Sequence, residues 1–214
     1  VSDLIWSPDA TRLAFVSTGR DHKTATVRLA DVATGDVRTL FEEKVSTHFE
    51  APAGWRVLWS TNEILWNSQR DDWSHLYLYD LANGRLKNQV TSGPGPVTKI
   101  LHVDEKARTV LFTSNGREAG QDPYFAHVYR IGLDGKGYRS LTPDDRHHAV
   151  QISKSGSYMV VSGSTPDTAP EVVLRDAAGA AVMPIEKADI SKLVAAGWQP
   201  PTRFSVKARD GTTD

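Results

Sequence analysis

Residues 68–85 read SQRDDWSHLYLYDLANGR, and their texture changes halfway. A charged turn at Arg70, Asp71 and Asp72 runs into an alternation that sets Leu76, Leu78 and Leu81 against Tyr77, Tyr79 and Asp80. Alternation with a period of two marks a strand, because successive side chains point to opposite faces. Both sets are large here, so this strand calls for at least partial cover on each face. The run stops at Asn83-Gly84, a pair that supplies the positive φ a tight hairpin turn requires.

The same texture recurs along the chain. LIWSPDATRLAFVST at 4–18 followed by ATVRLADVATGDVRTL at 25–40 reads as a strand, a Ser-Pro-Asp turn, two further strands, and a Thr-Gly-Asp turn into a fourth. Residues 56–91, which contain the opening stretch, repeat that order. So do TKILHVDEKARTVLFTSN at 98–115 with AHVYRIGLDGKGYRSLT at 126–142, and AVQISKSGSYMVVSGS at 149–164 with EVVLRDAAGAAVMPI at 171–185. Each unit holds about four strands in about 40–50 residues, the size of one β-propeller blade. One such sheet cannot bury both of its faces alone, so it stacks on neighbours.

The expected fold is therefore all-β, a partial propeller of about four blades at 1–45, 46–93, 94–143 and 144–186. Four blades are the lower limit of a closed ring and could equally be part of a larger one. A β-sandwich also offers many short strands, but gives no reason for groups of four to recur in one internal order. The pattern breaks at 187–214. KADISKLVAAGWQPP predicts a short helix with Asp189 as N-cap, a stripe of Ile190, Leu193 and Val194, and Gly197 at its end. TRFSVKARDG then predicts a fresh strand, expected to open a second domain.

Bulk properties narrow the function. The chain has 214 residues, 39% hydrophobic and 24% charged, within the range of globular proteins. A net charge of −1, with no run of like charge, argues against nucleic acid or an anionic membrane as partner. Cysteine is absent, which removes disulfides, thiolate nucleophiles and Cys-based zinc sites together. No apolar run approaches a membrane span. Val1 leads straight into a strand, so the start is read as a cut in a longer polypeptide, with room for a signal peptide upstream.

WSPDATRLAFVS resembles the Trp-Ser-Pro-Asp-Gly repeat of propellers in prolyl-oligopeptidase-type enzymes. NSQRDDWSHLYLYDL is similar to the Ser-Glu-Arg-Asp-Gly-Trp-x-His-Leu-Tyr-x-Tyr segment of bacterial dipeptidyl-peptidase IV-like serine peptidases. It matches at Ser68, Arg70, Asp71, Trp73, His75, Leu76, Tyr77 and Tyr79. HVYRIGLDGKGYRSLT and ARDGTTD look like the same subfamily. The chain departs from the pattern at Gln69 for Glu, Asp72 for Gly, and Ala10 for the Gly after Ser-Pro-Asp. The resemblance implies an eight-bladed ring of which this chain is roughly the C-terminal half. It also implies a parent enzyme, periplasmic or secreted, that removes X-Pro or X-Ala dipeptides from N-termini, with its catalytic triad on a following α/β-hydrolase domain. No cofactor and no metal are implied.

The residues agree that this piece carries no triad. No Gly-x-Ser-x-Gly elbow occurs, and Ser162 and Ser164 flank Gly163 at the end of a predicted strand. Adjacent His147 and His148 point to opposite faces of a strand and read as a solvated pair. His75 reads as a hydrogen-bonded structural residue, Arg70 to Asp72 as a corner of scaffold, and Glu42 and Glu43 as a solvated strand end. Arg56, after Gly54-Trp55, is the single candidate substrate-binding residue, its guanidinium suited to a peptide carbonyl or carboxylate. The bland alternative stacks it on Trp55. Expected partners are a peptide substrate, the hydrolase domain and a second copy of the chain, since open ends of a stacked array expose apolar faces. A rival reading is a stand-alone propeller that binds other proteins.

Overall fold

The structure, a computed structural model, describes residues 2–51, 53–202 and 204–213. They form four antiparallel four-stranded sheets whose strands follow chain order. The first holds β1 (Ser2–Trp6), β2 (Arg12–Thr18), β3 (Thr24–Asp31) and β4 (Val37–Lys44). The second holds β5 (Arg56–Leu58), β6 (Glu63–Ser68), β7 (His75–Asp80) and β8 (Leu86–Gln89). In the third are β9 (Val97–Asp104), β10 (Thr109–Asn115), β11 (Ala126–Gly132) and β12 (Arg139–Ser140). The fourth comprises β13 (His147–Ile152), β14 (Tyr158–Thr165), β15 (Thr168–Asp176) and β16 (Ala181–Lys187). Four consecutive meanders of this kind make a partial β-propeller.

The sheets bury the alternation read from residues 76–79. Tyr77 and Tyr79 enter a cluster with Ala14, Val16, Val27 and Leu29 of the first sheet. Leu76 and Leu78 enter another with Val110, Phe112 and Tyr129 of the third. Leu81 sides with the tyrosines rather than with Leu76 and Leu78. It lies beyond the end of β7, where the turn has ended the alternation. A third cluster joins Leu111, Val128 and Leu141 to Met159 and Val161 of the fourth sheet.

The turns repeat as faithfully as the strands. Between the third and fourth strands, the Asp31, Asp80 and Asp176 carboxylates each accept backbone N–H groups two to four residues on. Gly35, Gly84 and Gly179 take positive φ in these turns. Of the Asn83-Gly84 pair only Gly84 has positive φ (69°), and Gly84 N–H donates to the Asp80 carbonyl at 2.9 Å. The connection is thus a longer turn closed by a left-handed glycine, not a two-residue hairpin. A Cβ on Gly84 would lie 1.9 Å from the Leu40 carbonyl oxygen, so the turn packs directly on the strand end of the preceding sheet.

Between the first and second strands, Ala10, Asn62, Arg108 and Gly156 occupy the left-handed region with φ of 56°, 56°, 58° and 70°. Asp72 does so too, at 67°. Two of the three departures from the family pattern therefore fall where glycine relieves strain.

The C-terminal segment corrects the sequence reading. Helix α1 (Ser191–Ala195) begins after Ile190, and Asp189 accepts the Ser191 N–H at 2.9 Å from one residue outside the cap. None of its residues is buried. The described residues of 202–210 form no strand, because no sheet edge lies beside them to supply a ladder. No helix among the described residues is long and apolar enough to cross a membrane.

Candidate functional site

The turn between β6 and β7 folds back onto the first sheet. Ser68 Oγ accepts from Arg70 Nε at 2.9 Å and donates to Glu43 Oε1 at 2.6 Å. Glu43 Oε2 accepts from Trp66 Nε1 at 2.7 Å and from Arg70 Nη2 at 3.1 Å. Arg70 also donates to Tyr79 Oη at 2.6 Å and lies 4.3 Å from the centre of the Tyr77 ring. Tyr77 in turn donates to Asp71, which Gln89 also bonds at 3.0 Å. Glu43 is therefore a buried acceptor with three donors, not a solvated strand end. Its neighbour Glu42 behaves as expected of a strand end, pairing with Lys44 at the surface.

The third sheet repeats the device. Arg117 Nε donates to Ser114 Oγ at 2.8 Å, and its guanidinium faces the rings of Phe112, Tyr129 and Tyr138. Tyr129 donates to Glu118 at 2.9 Å. Registers make the two clusters counterparts: Ser68 pairs with His75 and Trp66 with Tyr77, as Ser114 pairs with His127 and Phe112 with Tyr129. Sequence reasoning missed the second cluster. Laying Ser68-x-Arg70 over Ser114-x-x-Arg117 would have found it.

Electrostatics in these clusters favour holding over reacting. Burial raises the Tyr77 hydroxyl well above the ordinary phenol range, and its bond to Asp71 adds to this. Tyr129 is likewise raised by burial, then by Tyr138 and Glu118. Burial, and then the Arg117 charge, push His75 below the usual imidazole value, so it is neutral at pH 7. Buried His75 spends its ring nitrogens on the Gly93 carbonyl (3.1 Å) and Thr91 Oγ1 (3.2 Å), the bonds of a structural histidine.

The adjacent histidines do not form a solvated pair. His147 is exposed, whereas His148 is buried against His127, ring centres 5.2 Å apart. The Ala126 N–H donates to His147 Nδ1 at 3.3 Å, and His148 Nδ1 contacts the Ala126 carbonyl at 3.2 Å, so the pair clasps the start of β11. The alternation placed the rings on opposite faces, but the cover over His148 comes from the third sheet. Burial lowers the His148 pKa, against an opposing pull from Asp144 at 3.2 Å. No group of three His, Asp or Glu among the described residues could hold a metal ion.

Arg56 opens β5, the first strand of its sheet. It donates to the Trp55 carbonyl at 2.8 Å and to the Ile100 carbonyl of the third sheet at 3.1 Å. Two of its five N–H groups thus tie adjacent sheets, and the exposed side chain keeps others for a ligand. Ser162 and Ser164 lie within β14, Ser162 opposite Ala149 and Ser164 opposite His147. Neither stands on the strained strand-to-helix turn that activates a hydrolase serine.

Comparison with known proteins gives three findings. The family described as dipeptidyl peptidase IV (DPP IV) N-terminal region matches residues 1–170. Dipeptidyl peptidase 4 of Arthroderma otae is 31% identical over 102 residues, 47% of this chain but only 12% of that protein. Among solved structures, Porphyromonas gingivalis dipeptidyl peptidase 4 superposes with a TM-score of 0.77 at 19% identity over 90% of this chain and 26% of its own. A candidate dipeptidyl aminopeptidase IV from Bacteroides ovatus gives 0.79 at 24% identity, over 100% of this chain and 32% of its own. At these identities the structures speak for the fold. The chain spans an eighth to a third of these relatives.

Proposed function

The chain belongs to the family of dipeptidyl peptidase IV N-terminal regions, and from that premise we propose that it is a propeller wall that admits and helps to hold short peptides for a serine peptidase domain. The reading assigns removal of X-Pro or X-Ala dipeptides to the whole protein and no chemistry to this piece. Residues 187–214 are taken as the bridge toward the hydrolase domain, after blades bounded at about 45, 93, 143 and 186. Arg56 is the proposed contact with a peptide carbonyl or carboxylate. We further assign the whole protein to the periplasm or the outside of the cell, following the kinship with the two bacterial structures.

The observation that carries this reading is the family match over residues 1–170, laid on four sheets in which no serine occupies a nucleophile elbow. Incubation with a Gly-Pro or Ala-Pro chromogenic amide is the test of the chemistry. The expected result is release at the buffer rate, and turnover above it would overturn the division of labour. For the wall, an Ala-Pro dipeptide titrated into the chain should bind weakly and lose several-fold in affinity in Arg56→Ala. Equal affinity in both proteins removes Arg56 from the site.

A further inference from the structure

The two terminal sheets present the two halves of a junction that the chain makes three times internally. Residues after the third strand show this at one end. Leu81 and Leu133 follow their strands at the same register and are fully buried against the preceding sheet, at 0% exposure. Val32 is their counterpart in the first sheet, with the same bond back to the first turn, yet it is 54% exposed. The neighbouring glycines agree. A Cβ on Gly84, Gly135 or Gly179 would meet a backbone oxygen of the preceding sheet at 1.9, 3.0 or 3.1 Å, whereas Gly35, in the same turn, has nothing within 4 Å. Trp6 is 54% exposed, although its counterpart Val57 is buried.

The fourth sheet carries the other half. Val160 takes the place of Ala14, Leu65 and Leu111, all buried, and is exposed together with Tyr158 and Met183. Charges complement across the two faces. Glu186 stands where the first sheet has Phe41, which stacks on Tyr79 of the second at 4.0 Å. The first sheet offers Arg28 beside the counterpart of Tyr79, and the Arg28 Nε is shielded but has no hydrogen-bond partner.

We propose that the open face of the fourth sheet receives the open face of the first sheet of a second copy, continuing the internal stacking between chains. Glu186 pairs with Arg28 in that junction, and the Gly35 turn closes on the outer strand of the partner copy. The contact is head to tail, so its two surfaces differ.

Sedimentation velocity of the chain over a concentration series up to about 1 mM should show concentration-dependent association. Val32→Glu blocks one face and Met183→Lys the other, both at exposed positions. Each variant alone should sediment as a monomer, with association weakened at least tenfold and an unchanged circular dichroism spectrum. Mixed in equal amounts they should form a pair, because each keeps the face the other has lost. Gly35→Ala should also weaken association. A wild-type chain that stays monomeric overturns the proposal, as does either charged variant associating by itself or a mixture that fails to pair.

Discussion

Gly35 and Gly84 occupy the same turn with nearly the same φ, 75° and 69°, and differ in what lies against them. Giving either a Cβ imposes the left-handed penalty, about 1–2 kcal/mol. At Gly35 the added methyl meets open space, so the cost ends there. At Gly84 it would sit 1.9 Å from the Leu40 carbonyl oxygen and 2.5 Å from its carbon, backbone that cannot rotate away. The turn or the preceding strand must then shift, adding about 1–3 kcal/mol of overpacking. Gly84→Ala should therefore lose roughly 3–4 kcal/mol against about 1–2 for Gly35→Ala. Urea titration followed by tryptophan fluorescence at micromolar protein measures both, and an unchanged m-value shows that the denatured state is not the source. Equal losses at the two glycines would refute the stacking of the second sheet on the first.

Three further outcomes follow from the same contacts. Arg70→Met leaves the Glu43 carboxylate buried without a cation and should cost about 2 kcal/mol, after a discount for the one-third exposure of Arg70; adding Glu43→Gln should restore part of it, and a double variant worse than the single one contradicts the pairing. Ala10→Gly and Asp72→Gly relieve positive φ and should each stabilise the chain by about 0.5–1 kcal/mol in the same titration; destabilisation by both would show that the side chains do more than fill the turn. Glu63 is pushed up by burial but held down to about 2 by the stronger pull of Arg108 and Lys87, from an ordinary 4.5. Its contribution is complete above pH 4.5 and is lost as the pH falls toward 2, so the stability gap between wild type and Glu63→Gln should narrow over that interval; a constant gap argues against the pairing.

Alternation at 76–79 and the recurring turn residues carried the sheets, because pleat and turn are local properties of a few consecutive residues. Cover from a neighbouring sheet is not local. Glu43 reads as a strand-end carboxylate until Trp66, Ser68 and Arg70, more than twenty residues on, close over it. His148 is likewise buried by Ala126 and His127 of another sheet. Residues 202–210 show the opposite error, since alternation announces a willingness to pair but needs an edge to pair with. Arg56 was legible as an arginine at a sheet junction, while its two carbonyl bonds depended on where Ile100 lies.

The most direct measurement is a crystal structure of the chain. Four four-stranded antiparallel sheets stacked in chain order, with the Gly84 turn seated on the Leu40 carbonyl and the Arg70 guanidinium on Glu43, is the result this account requires. Two sheets facing each other as a sandwich, or the second sheet packed on anything other than the first and third, would contradict it.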